Sequence, residues 1–415
     1  MHKEKKQRPL SLFPILLTYF LDNFGLAVIY PIFTPIFLSP GHLFFQETAT
    51  FFQRTLLLGL LIGCFPLAQF FGAPLIGQYS DRAGRKKAFV ISILGTGVGY
   101  TITALAILYY SLPFLFVGRL CTGLFAGNLT LCLASIADGS PDEESRTKNF
   151  GLIAAIGGLS FIIAIATGGI LSDPQFSFHF NPSFPFWITA CLTFINLFFI
   201  ITLYHETRPA RKDRGFNPFH GVQNIRAALQ LKNLRVIYVI NFLFMLAWVG
   251  SMQFFPTFMI KNFHYQITLI TVFLMVVGFI WSTTNFAVNR ALIKRFHPGQ
   301  TLMYSLLFLG VLLSAILFVH NPFPFFTLFF ISVGFASLCW TNGMATISLK
   351  APKELQGSIL GINQSMVSVA SMASPVIGGL LAGISIHSVY IFSGIISLIA
   401  YFLLRKNKRQ FATHR

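Results

Sequence analysis

Asp22 and Asn23 stand inside Thr18 to Phe33, a run otherwise apolar enough to lie within a membrane. A charge at the bilayer centre costs about 2.5–3.5 kcal/mol on insertion scales. Asp22 is about twelve residues into its run, roughly 18 Å at 1.5 Å per residue, too deep for a short side chain to reach the interface. Burial favours the neutral form of a carboxylic acid and a nearby cation favours the carboxylate. An acid so placed, in a cavity open to alternate sides, can carry a coupling proton. If substrate favours the ionised form and the proton the neutral one, the two compete for one site. The plainer reading is a structural acid, held by Asn23 or by a neighbouring helix. Arg119 is the one cation inside another apolar run. It either faces Asp22, directly or through water, and tunes it, or it extends to an interface roughly 9 Å away.

Elements that could position these groups follow from composition. Of 415 residues, 54% are hydrophobic and 10% charged, with mean hydropathy +0.70. That is too little charge to cover a soluble protein of this length. A membrane helix needs about 20 apolar residues, and twelve such runs fit. They lie near 10–38, 54–78, 88–110, 113–137, 150–171, 184–204, 236–260, 267–289, 300–319, 322–349, 356–383 and 387–404. The division between the ninth and tenth rests on one short break, His320 to Pro324.

The net charge of +18 is distributed by side. Segments on one side of these spans carry 27 of the 30 Lys and Arg; the other side keeps Arg54 and Lys261. This is the positive-inside pattern, which puts both termini in the cytoplasm. The basic balance therefore reports topology and contact with anionic lipid, not nucleic acid. The first apolar run is too long for a signal peptide, is broken by Asp22 and lacks a small-residue cleavage site, so it reads as a retained span. All five cysteines fall in predicted spans without a CxxC, which implies neither disulfides nor a metal site. The sequons at Asn128 and Asn363 also fall in spans.

The only long polar stretch, 205–235, divides the chain into 1–204 and 236–415, six spans each. Its part from Gly221 to Arg235 reads as an amphipathic interfacial helix or as a solvated linker. The halves look related. At an offset of 210 residues Glu144 falls on Glu354, Gly151 on Gly361, and Gly168–Gly169 on Gly378–Gly379. Internal repeats of this kind build many transporters, whose halves rock about a site near the bilayer midplane.

The loop from Gly77 to Phe89 reads GQYSDRAGRKKAF. Gly77 and Gly84 permit close approach and positive φ in a tight hairpin. Asp81 can cap a helix or pair with Arg82 or Arg85, and Lys86 sits with them at the phosphate level. This ordered pattern resembles the signature loop of the major facilitator superfamily. Further stretches carry the same resemblance: Phe116 to Asn128, with Arg119 as the buried arginine of the fourth helix, Ser135 to Gly151, and His205 to Thr207. Leu21 to Pro31 resembles the first helix of the drug–proton antiporters that include the tetracycline exporters. The resemblance implies an all-α membrane protein with two pseudo-symmetric six-helix bundles around a central cavity. Helices one, four, seven and ten would line it, and Asp81 with its neighbours would lock the cytoplasmic side. Two features depart from the branch. Ala164 and Ile165 stand where the antiporter motif of helix five has Gly-Pro. Asp22 is the one acid of this chain expected within the membrane, whereas the tetracycline exporters carry several.

Tyr30, Asn128, Trp248, Gln253, Trp340 and Asn342 lie on the helices the family uses for its cavity, where aromatic rings can stack on flat or cationic compounds. For each of them packing or helix–helix hydrogen bonding is an equal reading. No HExxH, HxxEH or Ser/His/Asp grouping points to an enzyme, and no cofactor is implied. The expected protein is a proton-coupled exporter of small amphiphilic compounds in a bacterial inner membrane, acting as a monomer. A proton symporter or facilitator importing a metabolite or siderophore is the other transport reading. A non-transporting sensor or polytopic enzyme would need an extra domain or a catalytic cluster.

Overall fold

The computed structural model describes residues 12–38, 44–45, 48–140, 142–177, 179–207, 222–223, 225–226, 230, 232–350 and 356–407. Twelve helices among them are long and apolar enough to cross a membrane. In chain order they are α1 (Leu12–Leu38), α2 (Phe51–Ala83), α3 (Arg85–Leu108), α4 (Leu112–Gly139), α5 (Gly151–Ser172) and α6 (Phe184–Leu203). Then follow α7 (Leu234–Phe263), α8 (Ile267–Leu292), α9 (Pro298–Phe318), α10 (Pro322–Lys350), α11 (Gly361–Ile384) and α12 (Ile386–Lys406). No strand occurs among the described residues. The protein is an all-α, multi-pass membrane protein, and the expected spans hold, including the division between α9 and α10. Of the amphipathic stretch expected over 221–235, residues 221, 224, 227–229 and 231 lie outside the described residues, and the described ones are helical.

Consecutive spans alternate in direction. The end where α2 meets α3 is the basic end, and the opposite one the far end. With 33 residues α2 is about 50 Å long, against a hydrocarbon core of roughly 30 Å. Its last turns, with Asp81 and Arg82, therefore stand clear of the apolar layer.

Proline interrupts two helices at matching places. The helix of α1 stops at Ala27 and resumes at Tyr30, and that of α7 stops at Gln253 and resumes at Phe255. Pro31 and Pro256 follow the breaks. Each lacks the N–H that would reach the carbonyl four residues back. Counted back from these prolines, the level of Asp22–Asn23 in α1 is that of Ala247–Trp248 in α7. The acid of the first half has no counterpart in the second.

The repeat is visible in the packing. A side chain at Gly168 would meet Val28 at the break of α1, and one at Gly169 would meet Thr271 of α8. At Gly378 it would meet Phe254 at the break of α7, and at Gly379 the Thr55 carbonyl of α2. Each glycine pair thus seats its helix against the broken helix of its own half and a helix of the other half. Small residues let backbones approach where no hydrophobic force drives helices together in lipid. Ala164 and Ile165 are fully buried, and their helix runs unbroken from Glu143 to Ser172.

The halves meet most closely along α2 and α11. Gly59 lies against the Pro375 carbonyl, Gly63 against that of Met372, and Gly383 against Phe52. These positions belong to the far halves of both helices. Other links between the halves also lie there: Gln253 to Tyr30 at 3.2 Å, Thr268 to Asp173 at 2.8 Å, and Lys261 over the Phe51 ring at 3.5 Å. Near the basic end, a Cβ at Gly77, Gly151 or Gly361 would meet nothing within 4 Å. Among the described residues these links hold the seam together at the far end.

Candidate functional site

The setting of Asp22 depends on a third broken helix. The helix of α4 stops at Phe125 and restarts at Asn128 without a proline. The carbonyls released there are taken up from other spans. Ser92 Oγ donates to Phe125 at 2.6 Å and Gln69 Nε2 to Ala126 at 3.0 Å. Asn128 opens the second half of α4, and its Nδ2 donates to Asp22 Oδ1 at 3.0 Å. The half-buried carboxylate thus has a neutral amide and the positive end of a half-helix beside it. Asn23 is turned away, its amide donating to the Tyr19 carbonyl at 2.9 Å. Of the two structural partners expected for Asp22, a neighbouring helix supplies the bond and Asn23 does not.

Arg119 does not extend to the interface. It is 1% exposed, with its guanidinium 5.5 Å from the Phe33 ring centre and 4.8 Å from that of Phe65. Ring faces attract such a cation more strongly where water is excluded. Its Nε finds no hydrogen-bond partner among the described residues. Nor does any ion pair among the described residues join it to Asp22. Tyr100 of α3 lies within electrostatic range of both, its hydroxyl in the space a side chain at Gly25 would need. The sequence reading missed Tyr100. Gly25, one turn after Asp22, becomes informative only once α3 is known to lie against α1.

Of the remaining cavity candidates, Tyr30 and Gln253 form the α1–α7 bond above. Trp248 stacks on Trp281 at 5.8 Å and 26°, and on Phe329 at 6.2 Å and 20°. Trp340 is half-buried. Asn342 is 1% exposed and donates to Asn289 at 2.8 Å, an α8–α10 link. Asn289 ends a π-helical turn, Thr284–Asn289, whose Asn285 accepts from Thr341. The sequence reading missed this turn; no local composition marks it.

The loop between α2 and α3 is organised by Arg85. Its guanidinium meets Asp81 at 3.2 Å and Asp138 at 3.0 Å, and donates to Ser80 Oγ at 2.7 Å. The expected Asp81–Arg85 pair is present, while Arg82 is exposed. Gly84 has φ +98°, a conformation that suits glycine. Gly77 differs from expectation, because α2 continues past it as regular helix in open space. Glu206, just after α6, accepts from the backbone N–H of Arg85 at 2.8 Å and of Lys86 at 3.0 Å. Lys86 Nζ donates to the Ile201 carbonyl at 2.7 Å. The roles of Asp138 and Glu206 escaped the sequence reading, because both partners are distant in the chain.

One expectation is corrected. Asp22 is not alone among acids removed from water, since Asp173 at the far end of α5 is 5% exposed. It accepts from Thr268 Oγ1 and from the Gln175 N–H at 3.0 Å. It sits one residue past the helix, outside the expected span.

The family model described as Major Facilitator Superfamily matches residues 15–322 and 291–413. The chain belongs to this superfamily. It is similar to the class C tetracycline resistance protein of Escherichia coli, 26% identical over 377 residues and 88% of each chain. Its fold is similar to the solved human organic anion transporter MFSD10 (TETRAN), with TM-score 0.69, 19% identity and coverage of 95% of this chain and 98% of that one. It is likewise similar to a D-xylose-proton symporter, with TM-score 0.75, 14% identity and coverage of 95% and 96%. This member of the major facilitator superfamily is a membrane transporter of two pseudo-symmetric six-helix bundles. The cluster around Asp22 lies in its first bundle and the Trp248–Trp281 stack in its second.

Proposed function

We propose that the protein is a proton-coupled exporter of small amphiphilic compounds that works by alternating access. The observation that carries this reading is Asp22 within α1, hydrogen-bonded to a neutral amide and without a paired cation among the described residues. A salt-bridged acid would hold its charge; one with a neutral partner can lose and regain its proton. The similarity to a tetracycline resistance protein supports export.

In this account the bundles are 1–204 and 236–415, with 205–235 as cytoplasmic linker. The basic end faces the cytoplasm of a bacterium, as do both termini, and one chain suffices. The links gathered at the far seam then correspond to the inward-facing state. Substrate enters beside Asp22 and displaces its proton into the cytoplasm; the bundles rock, and the far seam of α2 and α11 opens. A proton arriving from outside expels the substrate and permits return. Arg119 tunes the Asp22 region through Tyr100. Gly77, Asp81, Arg82, Gly84, Arg85 and Lys86 form the cytoplasmic lock. The unbroken α5, with Ala164 and Ile165 in place of Gly-Pro, favours a second reading, import by proton symport.

Accumulation of fluorescent lipophilic compounds in cells stripped of their own pumps tests direction. The export reading expects the wild type to lower accumulation and Asp22→Asn to restore it. Raised accumulation with wild type would replace export by import. A reporter fused after Lys212 that reads the outer side would overturn the orientation.

A further inference from the structure

At the far end of the second bundle the fold brings together two histidines that the transport reading does not use. His320 lies in the short corner between α9 and α10 and is exposed. His387 is the second residue of α12 and is half-buried. Although 67 positions separate them in the chain, their ring centres are 6.4 Å apart, with the planes at 57°.

The pairing has a local cause. The last turn of α9, Ile316–Phe318, tightens into a 3-10 turn, and Val319 leaves it in an extended conformation. Its carbonyl accepts from the ring of His387, which sets His387 beside the next residue, His320. A neutral imidazole has one donor nitrogen. Nε2 of His387 is buried and has no partner among the described residues, so Nδ1 is the donor and Nε2 keeps its lone pair. A histidine tied to a backbone carbonyl through one nitrogen, with the other left basic, is oriented as metal-binding histidines are. Phe258 of α7 stands edge to face with the His387 ring at 5.0 Å and 76°, and with Tyr390, one turn further along α12, at 5.3 Å and 88°. These rings steady His387, while exposed His320 has room to turn. A zinc–nitrogen bond is about 2.0–2.1 Å, so two imidazoles on one ion have ring centres roughly 5–6.5 Å apart, according to the angle at the metal. The observed separation falls at the wide end of that window.

We propose that His320 and His387 form a site for one transition-metal dication of the zinc type, which ties the α9–α10 corner to the start of α12. Among the described residues no third His, Cys, Asp or Glu joins the pair, so water completes the coordination. Imidazole nitrogen suits zinc, copper and nickel, whereas magnesium and calcium take oxygen ligands. The site lies in the second bundle, uses neither Asp22 nor Arg119, and does not depend on the direction of transport. Both histidines bind metal in their neutral form, so protons compete with the ion. The groups that face His387 are His320 from the α9–α10 corner, Tyr390 on its own helix and the uncharged Phe258 from α7.

The test is the thermal midpoint of the full-length protein, purified without a histidine tag and titrated with zinc chloride, with magnesium chloride as the control. It is run at about pH 8 and about pH 5, on either side of the ordinary histidine value. An ion that binds the folded state raises the midpoint by mass action. Wild type should gain stability with zinc at the higher pH, lose that gain at the lower one, and ignore magnesium. His320→Ala, a change at an exposed side chain that leaves the core intact, should raise the half-saturating zinc concentration about tenfold or more. His387→Gln should do the same. His320→Cys restores a zinc ligand at the same place and should recover the response, which a merely structural role for His320 would not produce. Absence of any zinc effect on wild type overturns the proposal. So does a zinc response that survives intact in either His320→Ala or His387→Gln, because the ion is then held elsewhere and the two rings are packing partners alone.

Discussion

Gly59 offers a direct handle on the far seam between α2 and α11. A methyl group there would run into the Pro375 carbonyl and the Gly379 Cα, which are backbone atoms and cannot rotate away. Gly59→Ala therefore penalises the sealed arrangement alone. Alanine's advantage in a helix is the same in every conformation and drops out of the balance. Overpacking of this kind costs about 1–3 kcal/mol. At 1.4 kcal/mol per tenfold, the far-open population should rise by about 5- to 150-fold. The assay is labelling of Tyr30→Cys by a membrane-impermeant maleimide, in protein whose five native cysteines are replaced. Tyr30 lies at the seam, bonded to Gln253, so its labelling rate tracks opening. Gly361→Ala is the control, because its Cβ meets nothing within 4 Å. Unchanged labelling in Gly59→Ala, or an equal rise in Gly361→Ala, would refute the reasoning.

Two more predictions concern the basic end. Glu206→Ala leaves two N–H groups at the start of α3 without their acceptor, which should cost about 1 kcal/mol and lower the thermal midpoint; Glu206→Gln should lose less. Asp142 caps the helix of α5, and the Ser145 backbone N–H donated at 2.7 Å holds its carboxyl below the ordinary range. A folded-state value below the unfolded one gives stability that is present above about pH 3.9 and lost as pH falls through the lowered value. Protection of the Ser145 amide, its exchange rate set against the intrinsic rate at the same pH, should therefore fall in acid for wild type, and in Asp142→Asn, whose cap does not titrate, that protection should not vary with pH.

Much of this architecture can be read from one sequence because lipid imposes strong rules. Apolar runs of span length and one-sided Lys and Arg give twelve helices, and the paired glycines at 168–169 and 378–379 give the repeat. The site was legible where a residue is costly in its own right. Asp22 and Arg119 are conspicuous because charge inside an apolar run is rare. What escaped depends on contacts between distant segments. Asn128 becomes a partner of Asp22 only through the break in α4. Tyr100 and Glu206 acquire their roles from neighbours 75 and 121 residues away. Asp173 escaped because burial at a helix end depends on what packs over it, here α8.

The central claim is that Asp22 carries the proton exchanged for substrate. Its most direct test is proton release from the protein reconstituted in liposomes with an imposed pH gradient, as lipophilic cations and neutral drugs are added in turn. The account predicts that at least one compound releases protons from wild type and that Asp22→Asn abolishes the release while still folding and inserting. A panel in which no compound moves protons, or release that persists in Asp22→Asn, would contradict it.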